Sequence, residues 1–304
     1  MVRYFCFIVF VELLISCGQR REPQIYTHPH DTVSIQTVII DKLKVNDVTL
    51  GKPKPYEWLG VNNEPGQPFE KYITLKPISP DQQRTKIYLQ PIGHFTPLQD
   101  SIIKYTSDYL EIFFDVHIEL LPTISDGFIP DACRRYKGEV DEQLLTTTIL
   151  DYLKKNLPAD AIIIEAITQR DLYPGSQMNF VFGQASIRSR VGVCSLFRFA
   201  DKESSLTLYR TLLDRFIKTS SHEIGHAFSI QHCIYGECVM NGSNSLVEAD
   251  GRPNRLCTDC LRKLQWNIRF DVLTRQQSLV AFFSRHKLKR DYEIAFGDLQ
   301  LLAP

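Results

Sequence analysis

Residues 221–260 read SHEIGHAFSIQHCIYGECVMNGSNSLVEADGRPNRLCTDC, and the spacing within them decides more about this chain than any other stretch. His222 and His226 are four apart, so on a helix they share one face and can clamp one metal ion. Glu223 sits beside the first of them, placed to take a proton from an attacking water. His232 lies six residues after His226, too far along a continuing helix to reach the same ion. The chain therefore has to turn back after His226. Three neutral imidazoles leave the fourth position of a tetrahedral zinc open, as a catalytic site requires and a structural site avoids.

Cys233-x4-Cys238 and Cys257-x2-Cys260 make two close pairs separated by a loop. They fit four thiolates closing around a second zinc. The two-residue gap suits a chelate better than a small, reactive disulfide ring. Two disulfides stay open as the competing reading, because an oxidising compartment would favour them. Between the pairs runs Cys238-Val239-Met240-Asn241-Gly242. Met240 is either a methionine packed beneath the metal-binding histidines or an ordinary core residue.

The order HExxHxxxxxHC-x4-C-x-M, followed by CxxC, resembles the archaemetzincins, zinc metallopeptidases of the metzincin clan. The resemblance runs roughly from residue 53 to 268. It includes IYLQPIG at 87–93, NFVFGQA at 179–185 and GSNSLVEAD at 242–250. It implies an α/β zincin fold with a mixed sheet, packed helices, an active-site helix, a Met-turn at Met240 and a small four-cysteine zinc subdomain. It implies two zinc ions: a catalytic one on His222, His226 and His232, and a structural one on Cys233, Cys238, Cys257 and Cys260. Glu223 would be the general base in peptide-bond hydrolysis. Residues 179–185 would form an antiparallel edge strand that pairs with an extended peptide, although an ordinary sheet strand reads equally well. One position departs from the family pattern: Ser229 stands where it has glycine, three residues after the second histidine. If that residue is left-handed, the substitution costs about 1–2 kcal/mol, offset in part by a local hydrogen bond from the serine.

The N-terminus speaks to address. Residues 1–17, MVRYFCFIVFVELLISC, hold an apolar run of about twelve residues, too short for a bilayer, which needs about twenty. It reads as a signal-peptide core ending in a lipobox-like Leu-Ile-Ser-Cys, with lipid attached to Cys17. That reading places the protein in a bacterial cell envelope, held to the membrane only by its lipid. Residues 18–37 then form a polar, proline-bearing tether, 38–85 an extended segment docked on the domain, and 86–304 the catalytic domain.

From residue 86 the pattern alternates. Residues 86–91, 117–121, 160–167, 179–185 and 191–199 read as strands, and 98–114, 139–155 and 204–229 as helices. Residues 171–175 read as a turn, although Tyr173 there is a candidate for the cleft. Residues 261–268 and 272–286 read as closing helices. The alternation argues for α/β layers.

Across 304 residues, 35 basic and 35 acidic side chains cancel, so no electrostatic case for nucleic acid exists. Neither a phosphate-binding loop nor a Gly-x-Ser-x-Gly elbow is present. Cys133 and Cys194 could pair in an oxidising compartment, but they read first as separate buried thiols. The expected partner is a peptide or protein substrate met by a monomer. Two rival readings remain: a catalytically weak zinc protein that only binds peptide or envelope material, and a zinc amidase acting on cell-wall peptides.

Overall fold

A computed structural model of the chain describes residues 35–137, 141–176, 178–199 and 205–302. The expected signal peptide, Cys17 and most of the tether lie outside the described residues. Among those described, no helix is long and apolar enough to cross a membrane.

Three short helices come first: α1 (Ile35–Lys42), α2 (Trp58–Val61) and α3 (Phe69–Thr74). The segment expected to be extended therefore folds into helical turns between its prolines and glycines, and it buries Ile40, Leu43 and Tyr72. The alternating part follows as β1 (Lys86–Ile92), α4 (Pro97–Phe114), β2 (His117–Leu120), β3 (Arg134–Lys137), β4 (Asp141–Leu145), α5 (Thr146–Lys155), β5 (Ala161–Thr168), β6 (Asp171–Tyr173), β7 (Gly183–Ser186), β8 (Val191–Ser195) and α6 (Ser205–Ala227). The chain closes with α7 (Leu246–Asp250), α8 (Thr258–Ile268), α9 (Val272–His286) and α10 (Lys289–Leu302).

The main sheet runs β2-β1-β5-β8-β7. Its pairings are parallel until the edge, where β7 runs antiparallel to β8. β5, AIIIEAIT, is buried at every position, as a central parallel strand covered on both faces should be. Alternate side chains divide between two cores. Ile87, Leu89, Ile163 and Ile167 pack with α4, α6 and the C-terminal helices, while Tyr88, Ile164 and Ala166 pack with α5. Start positions follow local chemistry: Thr96 and Gln99 form a capping box ahead of Pro97 at the head of α4.

Several expectations need correction. The helix expected over 139–155 begins only at Thr146. Asp141–Leu145 is instead the middle strand of a second sheet, β3-β4-β6. Buried Gln143 donates to Asp171 at 2.6 Å across that sheet, so tertiary pairing overrides the helical pattern. For the same reason the turn expected at 171–175 opens with a strand. The edge strand expected over 179–185 starts at Gly183, because the residues before it are tied to the small sheet. Arg135 and Gln143 both donate to the Asn179 carbonyl, and Val181 bridges Leu172. Helix α10 went unanticipated because its buried stripe is Asp291, Ala295, Asp298 and Leu302, so half of its inward face is acidic.

Candidate metal centre

His222, Glu223 and His226 lie on the last turns of α6, which stops where the histidines need it to. Ile230 N–H donates to Gly225 O at 3.1 Å and Ser229 N–H to His226 O at 2.8 Å. Those two bonds define a Schellman cap with Ser229 at its left-handed position, φ 71°. The serine hydroxyl accepts from Ile78 N–H at 3.2 Å and donates to Ile187 O at 3.3 Å. These partners are distant in sequence, whereas a local bond was expected. Past this cap the chain reverses and brings His232 back to face the helix.

The three rings stand with centroids 4.4–5.3 Å apart. Each Nδ1 meets an acceptor: Val239 O at 2.8 Å for His222, Ile230 O at 2.7 Å for His226, and Glu64 Oε1 at 2.8 Å for His232. A carbonyl or carboxylate only accepts, so each Nδ1 carries the proton and each Nε2 keeps its lone pair for a metal. One ligand atom from each residue falls within 4.8 Å of the others. Burial lowers the pKa of His222 to about 3 and holds that of His226 well below its usual value, which keeps these rings neutral. Three neutral nitrogens with no thiolate or carboxylate in the set fit zinc with one open position.

Glu223 is 7% exposed, and burial pushes its pKa up to about 8. Edge strand β7 makes room for it: a Cβ on Gly183 would lie 2.6 Å from its Cγ. On the other side of α6, Met240 packs against Gly225, where a Cβ would come within 2.5 Å of the sulfur. Met240 is therefore packed against α6 at Gly225, which lies between His222 and His226 in sequence. Neither glycine stood out in the sequence, since each matters only through a neighbour brought by the fold.

The four cysteines are buried together, and their sulfurs lie within 4.8 Å of one another. All are free thiols, with Cys233 and Cys257 sulfurs 3.5 Å apart, well beyond a disulfide bond. A tetrahedral zinc with 2.3 Å bonds would space its sulfurs about 3.8 Å apart. Hydrogen bonds from the other thiols, Cys238 first, hold Cys233 as a thiolate; burial raises Cys238 and the neighbouring Cys233 raises Cys260. Four sulfurs this close, buried and unbridged, could surround one cation as thiolates, and the set fits a closed zinc. The two clusters interlock: Cys233 N–H donates to Met240 O at 2.8 Å and Met240 N–H to Cys238 Sγ at 3.4 Å.

Cys194 is a buried free thiol, but Cys133 is only half-buried. Tyr173 is buried under Arg135, whose guanidinium lies 4.0 Å from its ring centroid, and it does not line the cleft. That cleft, of about 750 Å³, runs over the three histidines and Glu223 along β7, with Phe180 and Phe182 on one wall and Leu246 on another. Sequence reasoning missed the contributions of residues 47–67. Asp47 caps α8 by accepting from Thr258 N–H at 3.1 Å, Glu64 meets His232, and Gln67 donates to Ser229 O at 2.9 Å. More than 160 residues separate each of these pairs, so no local pattern announces them.

The profile of Peptidase family M54 matches residues 95–266. Archaemetzincin-2 of Rattus norvegicus is 35% identical over 255 residues, covering 74% of this chain and 71% of that protein. Archaemetzincin-1 of Homo sapiens is 30% identical over 255 residues, 74% of this chain but 51% of that longer protein. The crystal structure of archaemetzincin from Methanopyrus kandleri superimposes with a TM-score of 0.50 at 26% identity, covering 63% of this chain and 99% of that one. With its α/β fold, three-histidine cluster and four-cysteine cluster, the chain belongs to the archaemetzincins, peptidase family M54, and is a zinc metalloprotease.

Proposed function

We propose that the chain hydrolyses peptide bonds at a zinc on His222, His226 and His232, and that Cys233, Cys238, Cys257 and Cys260 hold a second, structural zinc. The supporting observation is the convergence of three Nε2 lone pairs beside the Glu223 carboxylate in one cleft. When bound, zinc would polarise the scissile carbonyl and acidify a water molecule to near neutrality. The charge of a cation held by the three histidines would offset the upward push of burial on Glu223. Its carboxylate then accepts that water's proton and delivers it to the leaving amine. The wall of β7 excludes bulk water on one side and aligns the peptide on the other. The Ser195 N–H donates to Phe182 O at 2.9 Å, so pairing with β8 alternates from Phe182 to Gln184 to Ser186. Gly183 and Ala185 accordingly turn their N–H and C=O groups to the open side, where an extended substrate can add as a strand.

Glu223→Gln keeps the ligands and removes the base. It should retain zinc and lose at least about 100-fold in kcat on a peptide library; a variant with full turnover would reject the assignment. The lipobox reading adds an envelope address, checked by Cys17→Ala, which should move the protein from the membrane to the soluble fraction.

A further inference from the structure

We propose that Glu64 is a positioning residue for the third histidine, so that the segment ahead of the sheet completes the metal centre. The proposal rests on the three-histidine reading above. His222 and His226 are aimed by α6, with their Nδ1 atoms fixed by backbone carbonyls. His232 lies beyond the cap, outside any helix or strand. Its Nδ1 partner is a side chain, and that side chain has supports of its own. Trp58 Nε1 donates to the same Glu64 oxygen at 2.9 Å, and the Trp58 ring meets His232 edge-on at 4.9 Å.

The other carboxylate oxygen, Oε2, is buried without a hydrogen-bond partner. An anion so placed is costly unless positive charge lies nearby. A cation on His232 Nε2, across one imidazole ring, supplies that charge. In return the carboxylate fixes the ring's tautomer and rotation and raises the basicity of the ligand nitrogen.

The backbone around Glu64 is shaped for this approach. Gly66, at φ 71°, passes so close to Ile234 and Tyr235 that a Cβ would lie 2.8 and 2.7 Å from their side chains. Gln67 donates to Ser229 O at 2.9 Å and accepts from Gln231 N–H at 3.1 Å. Trp58 stacks on Gly242, where a Cβ would lie 2.5 Å from the indole. Residues 58–67 thus hold the returning chain from the cap to His232.

The test is zinc competition against a chromophoric chelator on the full chain, comparing wild type, Glu64→Gln, Glu64→Ala and His232→Ala. The last variant identifies the zinc in question by removing it. Glu64→Ala should release that zinc at 10- to 100-fold lower chelator concentration. Glu64→Gln, which keeps an acceptor oxygen, should fall between Ala and wild type. The remaining zinc serves as control, because Val48 of the same segment accepts from Glu237 N–H at 2.7 Å beside the cysteines. If Glu64→Ala loosens both zincs alike, the residue merely docks the segment and the proposal fails. It fails equally if the affinity does not move. If His232→Ala removes no zinc, the three-histidine reading falls instead.

Discussion

At the scale of the residue, Ser229 carries two opposed contributions. Its left-handed backbone, φ 71°, costs about 1–2 kcal/mol for a residue with a Cβ. Its hydroxyl joins Ile78 N–H to Ile187 O, two hydrogen bonds of about 0.5–1.5 kcal/mol each, and Ser229 is 6% exposed. Ser229→Gly removes both effects and should leave stability within about 1 kcal/mol of wild type. Ser229→Ala keeps the strain and loses the bonds, so it should be destabilised by about 1–3 kcal/mol, read as a lower denaturant midpoint at constant m. Equal stability of the Ala and Gly variants would show that the turn is unstrained. A second prediction concerns Gly183. The Cβ in Gly183→Ala would meet the Glu223 side chain at 2.6 Å and should lower kcat by at least about tenfold with zinc content unchanged. Unimpaired kcat would mean that the carboxylate has room to move. The candidate ligands were legible in the sequence because helix periodicity places His222 and His226 on one face. Ser229, Gly183 and Glu64 act through partners that only the fold supplies.

At the scale of the element, β7 is the strand proposed to meet substrate. It is paired on one side only, and its cleft-facing backbone groups are those of Gly183 and Ala185. A proline is tolerated in an edge strand where its missing N–H faces away from the ladder. Ala185→Pro should therefore fold with near-normal stability but raise KM for peptides by about tenfold, since one substrate hydrogen bond is lost. Gln184→Pro breaks the ladder to β8 and should destabilise the protein by about 1–3 kcal/mol. Unchanged KM in Ala185→Pro would exclude strand addition at this edge. Element type was readable where burial is one-sided or continuous, as in α4 and β5. It failed at β4 and β6, whose pairing partners decide their state, and at α10, whose inward face carries Asp291 and Asp298.

At the scale of the whole molecule, the two metal clusters and the N-terminal segment form one connected body. Val239 O orients His222, Met240 O accepts from Cys233 N–H, and Asp47 caps the helix that bears Cys260. Loss of the structural zinc should therefore reach the catalytic turn. Cys257→Ser should destabilise the chain by more than about 4 kcal/mol and lose activity as well. A variant with wild-type stability would show that the four thiols hold nothing. The α/β class was legible from the alternation of short apolar runs and helical stretches. The role of residues 38–85 was not, because its contacts with the metal-centre region span about 150 to 210 positions and leave no period to read. The central claim is that one chain holds two zinc ions at separate sites, with the three histidines holding the catalytic one. Its most direct test is the zinc count of the full chain by native mass spectrometry, in wild type and His232→Ala. Two equivalents falling to one is the expected result, and the same count in both proteins would contradict it.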